Sequence, residues 1–167
     1  LYYSTDGDNW YNNTNWLVNI TPDTWYGVGV TGGHVTVLGL DSNNLNGQIS
    51  PELGNISDLE YLSLDYNQLS GSVPAELGNL TNLIVLRLNN NQLTGSIPPE
   101  LGNLSQLNIF ELEENQLSGS IPTTLGNLDN LHELNFSYNT LTGNIPPELG
   151  QISNLYTLNL ADNQLTG

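Results

Sequence analysis

The chain has 167 residues and carries 17 acidic side chains against a single basic one, Arg87, which gives a formal net charge of −16 at pH 7. Recognition of nucleic acids and acidic membranes depends on several Lys and Arg side chains, so this composition excludes nucleic acid as a partner and disfavours acidic membranes. Cysteine is absent and no run approaches about 20 apolar residues, so the sequence predicts neither a disulfide framework nor a transmembrane segment.

The first 34 residues differ from the rest of the chain, and we predict that they form an N-terminal cap. Large aromatic side chains are concentrated there, and because such side chains bury the most area per residue, we expect them to form the core of the cap. A platform for binding carbohydrate would use the same rings and is the alternative interpretation. These aromatic residues are Tyr2, Tyr3, Trp10, Tyr11, Trp16, Trp25 and Tyr26.

From residue 35 onward the sequence repeats with a period of 24 residues, which is clearest in a column of glycines. Self-similarity at a fixed period of this length predicts a solenoid, in which each unit contacts only its neighbours. The column comprises Gly47, Gly71, Gly95, Gly119, Gly143 and Gly167. We divide the repeat region into five full units, 35–58, 59–82, 83–106, 107–130 and 131–154, and a partial unit, 155–167.

Each unit predicts one short strand followed by an irregular return. In unit 83–106, Leu86 and Leu88 alternate with Val85 and Arg87, which is the period of a strand with leucines facing the core. Pro98 lacks a backbone donor, so the opposite wall is predicted to be 3₁₀ or irregular, and Gly102 is expected to allow a sharp turn there. The predicted fold class is therefore an α/β repeat solenoid with one parallel β-sheet and little true helix outside the cap.

One asparagine follows the strand in every unit. Its amide can donate and accept at the same time, so we expect it to satisfy backbone groups of the bend in its own unit and in the next. A residue repeated in register is a structural ladder and not a catalytic site. The ladder residues are Asn43, Asn67, Asn91, Asn115, Asn139 and Asn163.

The side chains that alternate with the leucines define the predicted binding surface. Tyr61, Val85 and Ile109 form an apolar strip, and an acidic patch lies beside it. Arg87 is expected to pair with Glu111 on the adjacent strand. Aromatic groups beside charged rims are typical of protein-binding surfaces, so we predict a cationic protein or peptide partner with an apolar anchor. The predicted partner-binding residues are Tyr61, Asp65, Tyr66, Val85, Arg87, Ile109, Glu111, Glu113, Glu114, Glu133 and Tyr138.

The full phrase, LxxLxLxxNxLxGxIPxxLGN, resembles the plant-specific class of leucine-rich repeats found in receptor-kinase ectodomains and polygalacturonase inhibitors. Residues 6–10, 15–16 and 25–28 resemble the cap motifs of that family. Plant caps carry cysteines where this chain has Asp23 and Val30, so the cap is more similar to the cysteine-free caps of microbial or protist relatives. The resemblance implies a right-handed coil with its strands on a concave binding face, in an extracellular or cell-surface protein that is not an enzyme.

Six Asn-x-Ser/Thr sequons are candidate glycosylation sites. Three of them belong to the Leu-Gly-Asn phrase of the repeat, so repeat identity alone also explains them. A glycan at Asn135 would stand on the concave face and obstruct it. The candidates are Asn12, Asn19, Asn55, Asn79, Asn103 and Asn135.

Other functions remain open at this point. The partial last unit contains core leucines, so end-to-end stacking into a surface filament or sheath is the main alternative. A regular hydroxyl-rich column beside the glycines raises ice binding as a further alternative. No metal or cofactor site is predicted, because His34 and His132 lack ligand spacing and carboxylates on an open sheet lack a desolvated pocket. The column comprises Asn46, Ser70, Thr94, Ser118, Thr142 and Thr166.

Overall fold

A computed structural model of the chain describes residues 1–18 and 20–166. The sequon residue Asn19 and the last column glycine, Gly167, therefore lie outside the described residues. The described part contains 13 strands and eight 3₁₀ helices. No helix within it is long and apolar enough to cross a bilayer.

The strands alternate between two walls of the coil. In chain order they are β1 Val28–Thr31, β2 His34–Gly39, β3 Asn46–Gln48, β4 Tyr61–Ser63, β5 Gln68–Ser72, β6 Val85–Arg87, β7 Gln92–Ser96, β8 Ile109–Glu111, β9 Gln116–Gly119, β10 Glu133–Asn135, β11 Thr140–Asn144, β12 Thr157–Asn159 and β13 Gln164–Thr166. The 3₁₀ helices are Tyr2–Thr5, Gly7–Asn9, Pro22–Thr24, Pro51–Asn55, Ala75–Asn79, Pro99–Asn103, Thr123–Asn127 and Pro147–Gln151.

The first sheet has seven strands in the order β1-β2-β4-β6-β8-β10-β12. Strand β1 pairs antiparallel with β2 and joins the cap to the coil, whereas the remaining strands are parallel. Equivalent residues of successive units pair in register, for example Tyr61 with Val85 and Val85 with Ile109. The predicted solenoid with its parallel sheet is confirmed.

A second parallel sheet, which the sequence analysis did not predict, lies on another wall. It has six strands in the order β13-β11-β9-β7-β5-β3. Apart from β13, each strand lies before the Pro-containing segment of its unit, and β5 ends at Ser72, ahead of Pro74. The hydroxyl column lies in this sheet, and Thr94, Ser118 and Thr142 are exposed. Ice binding by this column stays a prediction.

The core is a continuous stack of leucines between the walls. Leu86, Leu88 and Leu93 of one unit are completely buried, as are their equivalents in the neighbouring units. Phe110 and Phe136 replace leucine in two successive units, and their rings meet edge to face with centroids 5.0 Å apart. Burial of each such side chain contributes about 1.5–3 kcal/mol, so the units stabilise one another.

The aromatic core of the cap is smaller than the sequence predicts. Tyr2, Trp10 and Trp16 are buried, and the Trp10 and Trp16 rings lie 5.0 Å apart. Trp25 packs on Trp16 with a centroid distance of 4.9 Å. The prediction is wrong for the rest, because Tyr3, Tyr11 and Tyr26 are 85%, 79% and 41% exposed. The predicted fold class allowed true α-helix in the cap, but the described residues of the cap form 3₁₀ turns instead.

The glycines that follow the prolines have a different role from the one predicted. Gly78 lies inside the 3₁₀ helix Ala75–Asn79 and does not have a positive φ, so no unusual turn requires it. A Cβ at that position would instead clash with the backbone of Glu100 in the next unit, whose carbonyl carbon would be 2.7 Å away. Gly54 and Gly102 meet the following unit in the same way. These glycines set how closely the units stack.

The asparagine ladder is present, but each amide bonds to the preceding unit and not to the next one. Asn115 Nδ2 donates to Leu112 O of its own unit at 3.1 Å and to Leu88 O of the preceding unit at 3.0 Å. Its Oδ1 accepts from the backbone N–H of Leu93 at 2.9 Å. Asn43 extends the ladder into the cap through two bonds to the backbone of Asn12.

We expect Asn115→Ala to lower the free energy of unfolding by about 2–4 kcal/mol, because it leaves buried backbone groups of two units without partners. Urea unfolding followed by circular dichroism measures the loss. Asn127→Ala is the control, since Asn127 is exposed and outside the ladder. Equal stability of the two variants would show that the ladder is not important for folding.

Candidate functional site

The predicted apolar strip is continuous across three strands of the first sheet. Tyr61 on β4, Val85 on β6 and Ile109 on β8 are paired neighbours, and all three are half-buried. Strands in a sheet lie about 4.8 Å apart, so the strip is roughly 10 Å wide. The structure therefore brings the three predicted apolar residues together on the outward side of the sheet.

Arg87 and Glu111 form the predicted ion pair on the same face. Arg87 Nε donates to Glu111 Oε2 at 2.8 Å, and the two side chains are 34% and 16% exposed. Burial lowers the pKa of Arg87, but the Glu111 carboxylate and the Tyr61 hydroxyl outweigh it, so that the pKa is raised overall. Burial also raises the pKa of Glu111, and Arg87 opposes that shift. The only cationic side chain of Lys or Arg type is thus already engaged.

Four carboxylates of the predicted acidic patch act on one another electrostatically. Burial, which is the largest cause, and the charges of Glu111, Asp65 and Glu133 together raise the pKa of Glu113 to about 7. Oε2 of Glu113 is buried and has no hydrogen-bond partner among the described residues. Asp65 is partly satisfied, because Ser63 Oγ donates to Oδ1 of that carboxylate. These four side chains form what we term the acidic cluster.

No three side chains of His, Asp or Glu type converge as metal ligands in residues 1–18 and 20–166. The carboxylates of the acidic cluster are therefore spread along the sheet and do not surround a single position. Such an arrangement suits hydrogen-bond donors on a larger cationic partner.

Three further predicted residues lie at the rim of the face, in the bends that follow the strands. Tyr66, Glu114 and Tyr138 occupy equivalent positions with φ values of 53°, 55° and 54°. Tyr66 and Tyr138 are 59% and 53% exposed. The charge of Asp162 and a hydrogen bond to it raise the pKa of Tyr138, and Glu114 adds to the shift. These rings border the face but do not form part of the apolar strip.

The alternating pattern of the sequence predicts more solvent-exposed side chains on the first sheet than the structure contains. Ser63, Asn89 and Ser137 belong to columns that point outward in the sequence, yet all three are buried. Ser63 and Ser137 are engaged in local hydrogen bonds. The backbone carbonyl of Asn89 accepts from Tyr66 N–H at 3.1 Å and from Asn91 Nδ2 at 3.2 Å. Its side-chain Oδ1, however, is a buried acceptor without a partner among the described residues. No feature of the sequence signals this burial, because an asparagine at an outward position is typical of an ordinary polar surface.

The sequons differ in their surroundings. Asn55, Asn79 and Asn103 each end a 3₁₀ helix and are exposed. Asn135 lies on strand β10, is half-buried, and accepts a hydrogen bond from Ser137 Oγ at 2.8 Å. Asn12 accepts from Thr14 Oγ1 at 2.7 Å in a local turn.

When the chain is secreted from a eukaryotic host, we expect the folded fraction to carry glycans at Asn55, Asn79 and Asn103 and none at Asn135. A glycan at Asn135 would lose the hydrogen bond to Ser137 and would crowd the sheet. Peptide mapping after enzymatic release of glycans measures the occupancy of each site. Full occupancy of Asn135 in correctly folded protein would contradict the expectation.

We expect the free energy of unfolding to fall between pH 5 and pH 8. The pKa of Glu113 is about 7 in the folded state, against about 4.3 for an unfolded chain. As the pH rises, the unfolded chain releases this proton first, so the stabilisation is complete below pH about 4 and is lost as the pH passes through 7. After solvent screening the contribution is about 1–2 kcal/mol.

Urea unfolding at both pH values, with Glu113→Gln beside the wild type, measures this contribution. The substitution is expected to remove part of the fall in the free energy of unfolding with rising pH. Glu111 accounts for another part of this fall, because its pKa is also raised. Glu100→Gln serves as the control, since Glu100 is exposed on the opposite wall. An unchanged pH slope in Glu113→Gln would show that this carboxyl group titrates normally.

Comparisons with known proteins agree with the geometry of the repeats. A family model described as a leucine-rich repeat region matches residues 33–165. A search of curated protein sequences gives no significant match. Among solved structures, the BIR2 ectodomain from Arabidopsis thaliana is 32% identical with a TM-score of 0.85, and the match covers 100% of this chain and 91% of that one.

Two complexes of larger receptors are also similar. The structure of PEPR1 with AtPEP1 is 31% identical with a TM-score of 0.88, and the match covers 95% of this chain but 24% of that one. The Arabidopsis receptor kinase HAESA, in complex with the peptide hormone IDA and the co-receptor SERK1, is 36% identical with a TM-score of 0.82. That match covers 89% of this chain and 25% of HAESA, so the chain spans about a quarter of the length of these two receptors. The chain belongs to the leucine-rich-repeat family and resembles the ectodomains of plant receptor kinases.

Proposed function

We propose that this chain is an extracellular, non-enzymatic recognition module that binds a protein or peptide on the outward face of its first sheet. The observation that carries this proposal is the apolar strip of Tyr61, Val85 and Ile109 beside the acidic cluster. An apolar centre next to a charged rim is the arrangement that protein-binding surfaces use. The similar ectodomain of HAESA, which is in complex with the peptide hormone IDA, supports the same role by similarity.

Charge restricts the class of partner. The face carries the acidic cluster and one guanidinium, which is paired with Glu111. A partner with positive charge is attracted and one with exposed carboxylates is repelled, both in the encounter and in the complex. We therefore propose a cationic protein or peptide with an apolar side chain as its anchor.

The shape of the face argues against catalysis. A cavity between the cap and the first unit is lined mainly by apolar side chains, which include Trp16, Trp25 and Leu38. It contains no residue of the acidic cluster. Acid–base catalysis requires a pocket that encloses the substrate, and the carboxylates of the acidic cluster lie on the sheet, outside this cavity.

Screening a random peptide library against the immobilised chain tests the proposal. We expect enriched peptides that contain Lys or Arg together with an aliphatic or aromatic residue. Ile109→Ser is expected to weaken their binding by at least tenfold, because it removes apolar contact at the centre of the strip. The matched control is Ile145→Ser, an exposed isoleucine on another wall. Equal binding by the two variants would place the site elsewhere.

The alternative of a filament or sheath subunit stays a prediction. Light scattering of the purified chain over a wide concentration range distinguishes the two roles. A monomer at every concentration excludes assembly through stacked repeats, whereas length that grows with concentration supports it.

A further inference from the structure

The cavity between the cap and the first unit has a volume of about 250 Å³. Leu38 and Leu53, which belong to the buried core, are among the residues that line it. Protein interiors contain few voids larger than a water molecule, so an apolar space of this size is a departure from ordinary packing. No residue of the apolar strip or of the acidic cluster lines it, so it is separate from the face to which we assign the peptide.

The cavity lies where two columns of the repeat change at the first unit. Val35 occupies the position that leucine holds in the next four units, where those leucines, such as Leu59, are completely buried. Ile56 occupies the column of Leu80 and Leu104, which are also completely buried. Both Val35 and Ile56 are only half-buried and line the cavity. The cap, which takes the place of a preceding unit, therefore leaves room here that a repeat would fill.

Two indole rings form the cap side of the cavity. The Trp16 and Trp25 rings have centroids 4.9 Å apart, and their planes are inclined by 37°. Trp16 Nε1 donates to Tyr26 O at 3.0 Å, so the polar atom of this ring is satisfied within the cap. Aromatic rings pack on one another in offset or edge-to-face contacts, which add to the free energy of burying apolar area. These walls favour a flat aromatic ligand over an aliphatic ligand of the same size.

The polar groups that line the cavity are engaged with one another. Ser50 Oγ donates to Glu52 Oε2, and this hydrogen bond is the largest cause that holds the pKa of Glu52 below its ordinary value. Glu52 also acts electrostatically on the amino group of Leu1. The ionised carboxylate repels an anionic ligand, and any isolated charge is unfavourable between apolar walls. The ligand that fits this lining is therefore uncharged.

The volume of the cavity limits the size of the ligand. An engineered apolar cavity of about 150 Å³ binds benzene, and pockets for drug-sized molecules begin at about 300 Å³. The volume of about 250 Å³ lies between these two cases. We propose that this cavity is a second binding site, which takes a small uncharged aromatic molecule of one or two rings.

A ligand in this cavity stabilises the junction between the cap and the coil. The lining comes from the cap with Trp16, from strand β2 with Val35 and from the 3₁₀ helix Pro51–Asn55 with Leu53. One ligand therefore contacts all three segments. Because a ligand that binds only the folded state stabilises it by mass action, we expect the Tm of the chain to rise with ligand concentration.

Phenol is a suitable probe, because it is uncharged at neutral pH and its hydroxyl group can remain at the polar side of the cavity near Ser50. Nuclear magnetic resonance follows the indole N–H signals of Trp16 and Trp25. We expect phenol to shift both signals saturably with a Kd on the order of 1 mM. Cyclohexanol has the same ring size and hydroxyl group but no aromatic ring, and we expect it to bind about fivefold more weakly. Benzoate, which is anionic, should shift neither signal at the same concentration.

Variants that fill the cavity test its position. Ile56→Phe is expected to weaken phenol binding by at least about tenfold, because the larger side chain occupies the space of the ligand. Val35→Phe fills the same space from strand β2 and provides a second test if one substitution disturbs the fold. Ile84→Phe is the matched control, since Ile84 is exposed in the third unit and should bind phenol like the wild type. Ile109→Ser, which tests the peptide-binding face, should also leave phenol binding unchanged.

Three outcomes would overturn this inference. If phenol shifts neither indole signal, the cavity does not bind an aromatic molecule. Equal affinity for phenol and cyclohexanol would show that the aromatic class is wrong. Undiminished phenol binding by Ile56→Phe and Val35→Phe, in protein whose other signals are unchanged, would place the phenol elsewhere. None of these outcomes affects the proposed function, because the library screen reports on a different wall of the coil.

Discussion

The structure depends on one repeated interaction, the hydrogen bonds of the ladder asparagine. A bend after each strand leaves backbone donors and acceptors inside the coil, where water cannot reach them. Asn91, Asn115 and Asn139 each donate to carbonyls of their own and the preceding unit and accept an N–H from the preceding unit. A buried backbone without partners is costly, so each ladder asparagine stabilises the leucine core around it.

The ladder also explains why successive units stack so closely. It fixes adjacent bends by direct bonds of about 3 Å, and the opposite wall must follow at the same spacing. Gly78 and Gly102 meet that requirement because the backbone of the next unit occupies the space of a side chain. In consequence, contacts with the neighbouring units determine which residue type each scaffold position requires. These residues are not available to contact a ligand.

The periodic features of the fold are predicted correctly from the sequence. The prediction fails where the exposure of a side chain depends on how closely its neighbours pack. The period of 24 residues and the Leu-x-Leu pattern were sufficient for the solenoid, the first sheet and the presence of the ladder. The second sheet was missed because Gln-Leu-Thr-Gly-Ser is short and contains a glycine, which reads as a turn. Tyr3 and Tyr11 were misplaced because the number of aromatic residues does not indicate which rings find partners.

In the candidate site, too, some features follow from the repeat period and others depend on how the units pack. The pairing of Arg87 with Glu111 followed from a spacing of one unit, and the structure confirms it. The burial of Asn89 and the raised pKa of Glu113 did not follow, because alternation separates inward from outward residues but does not measure desolvation. The proposed function depends on departures from the repeat, and the burial of Asn89 and the raised pKa of Glu113 appear only when the units are stacked. Since Arg87 neutralises Glu111 on one side, the excess negative charge lies on the side of Glu113. The cationic partner that we propose would therefore have a preferred orientation on the face before any contact is made.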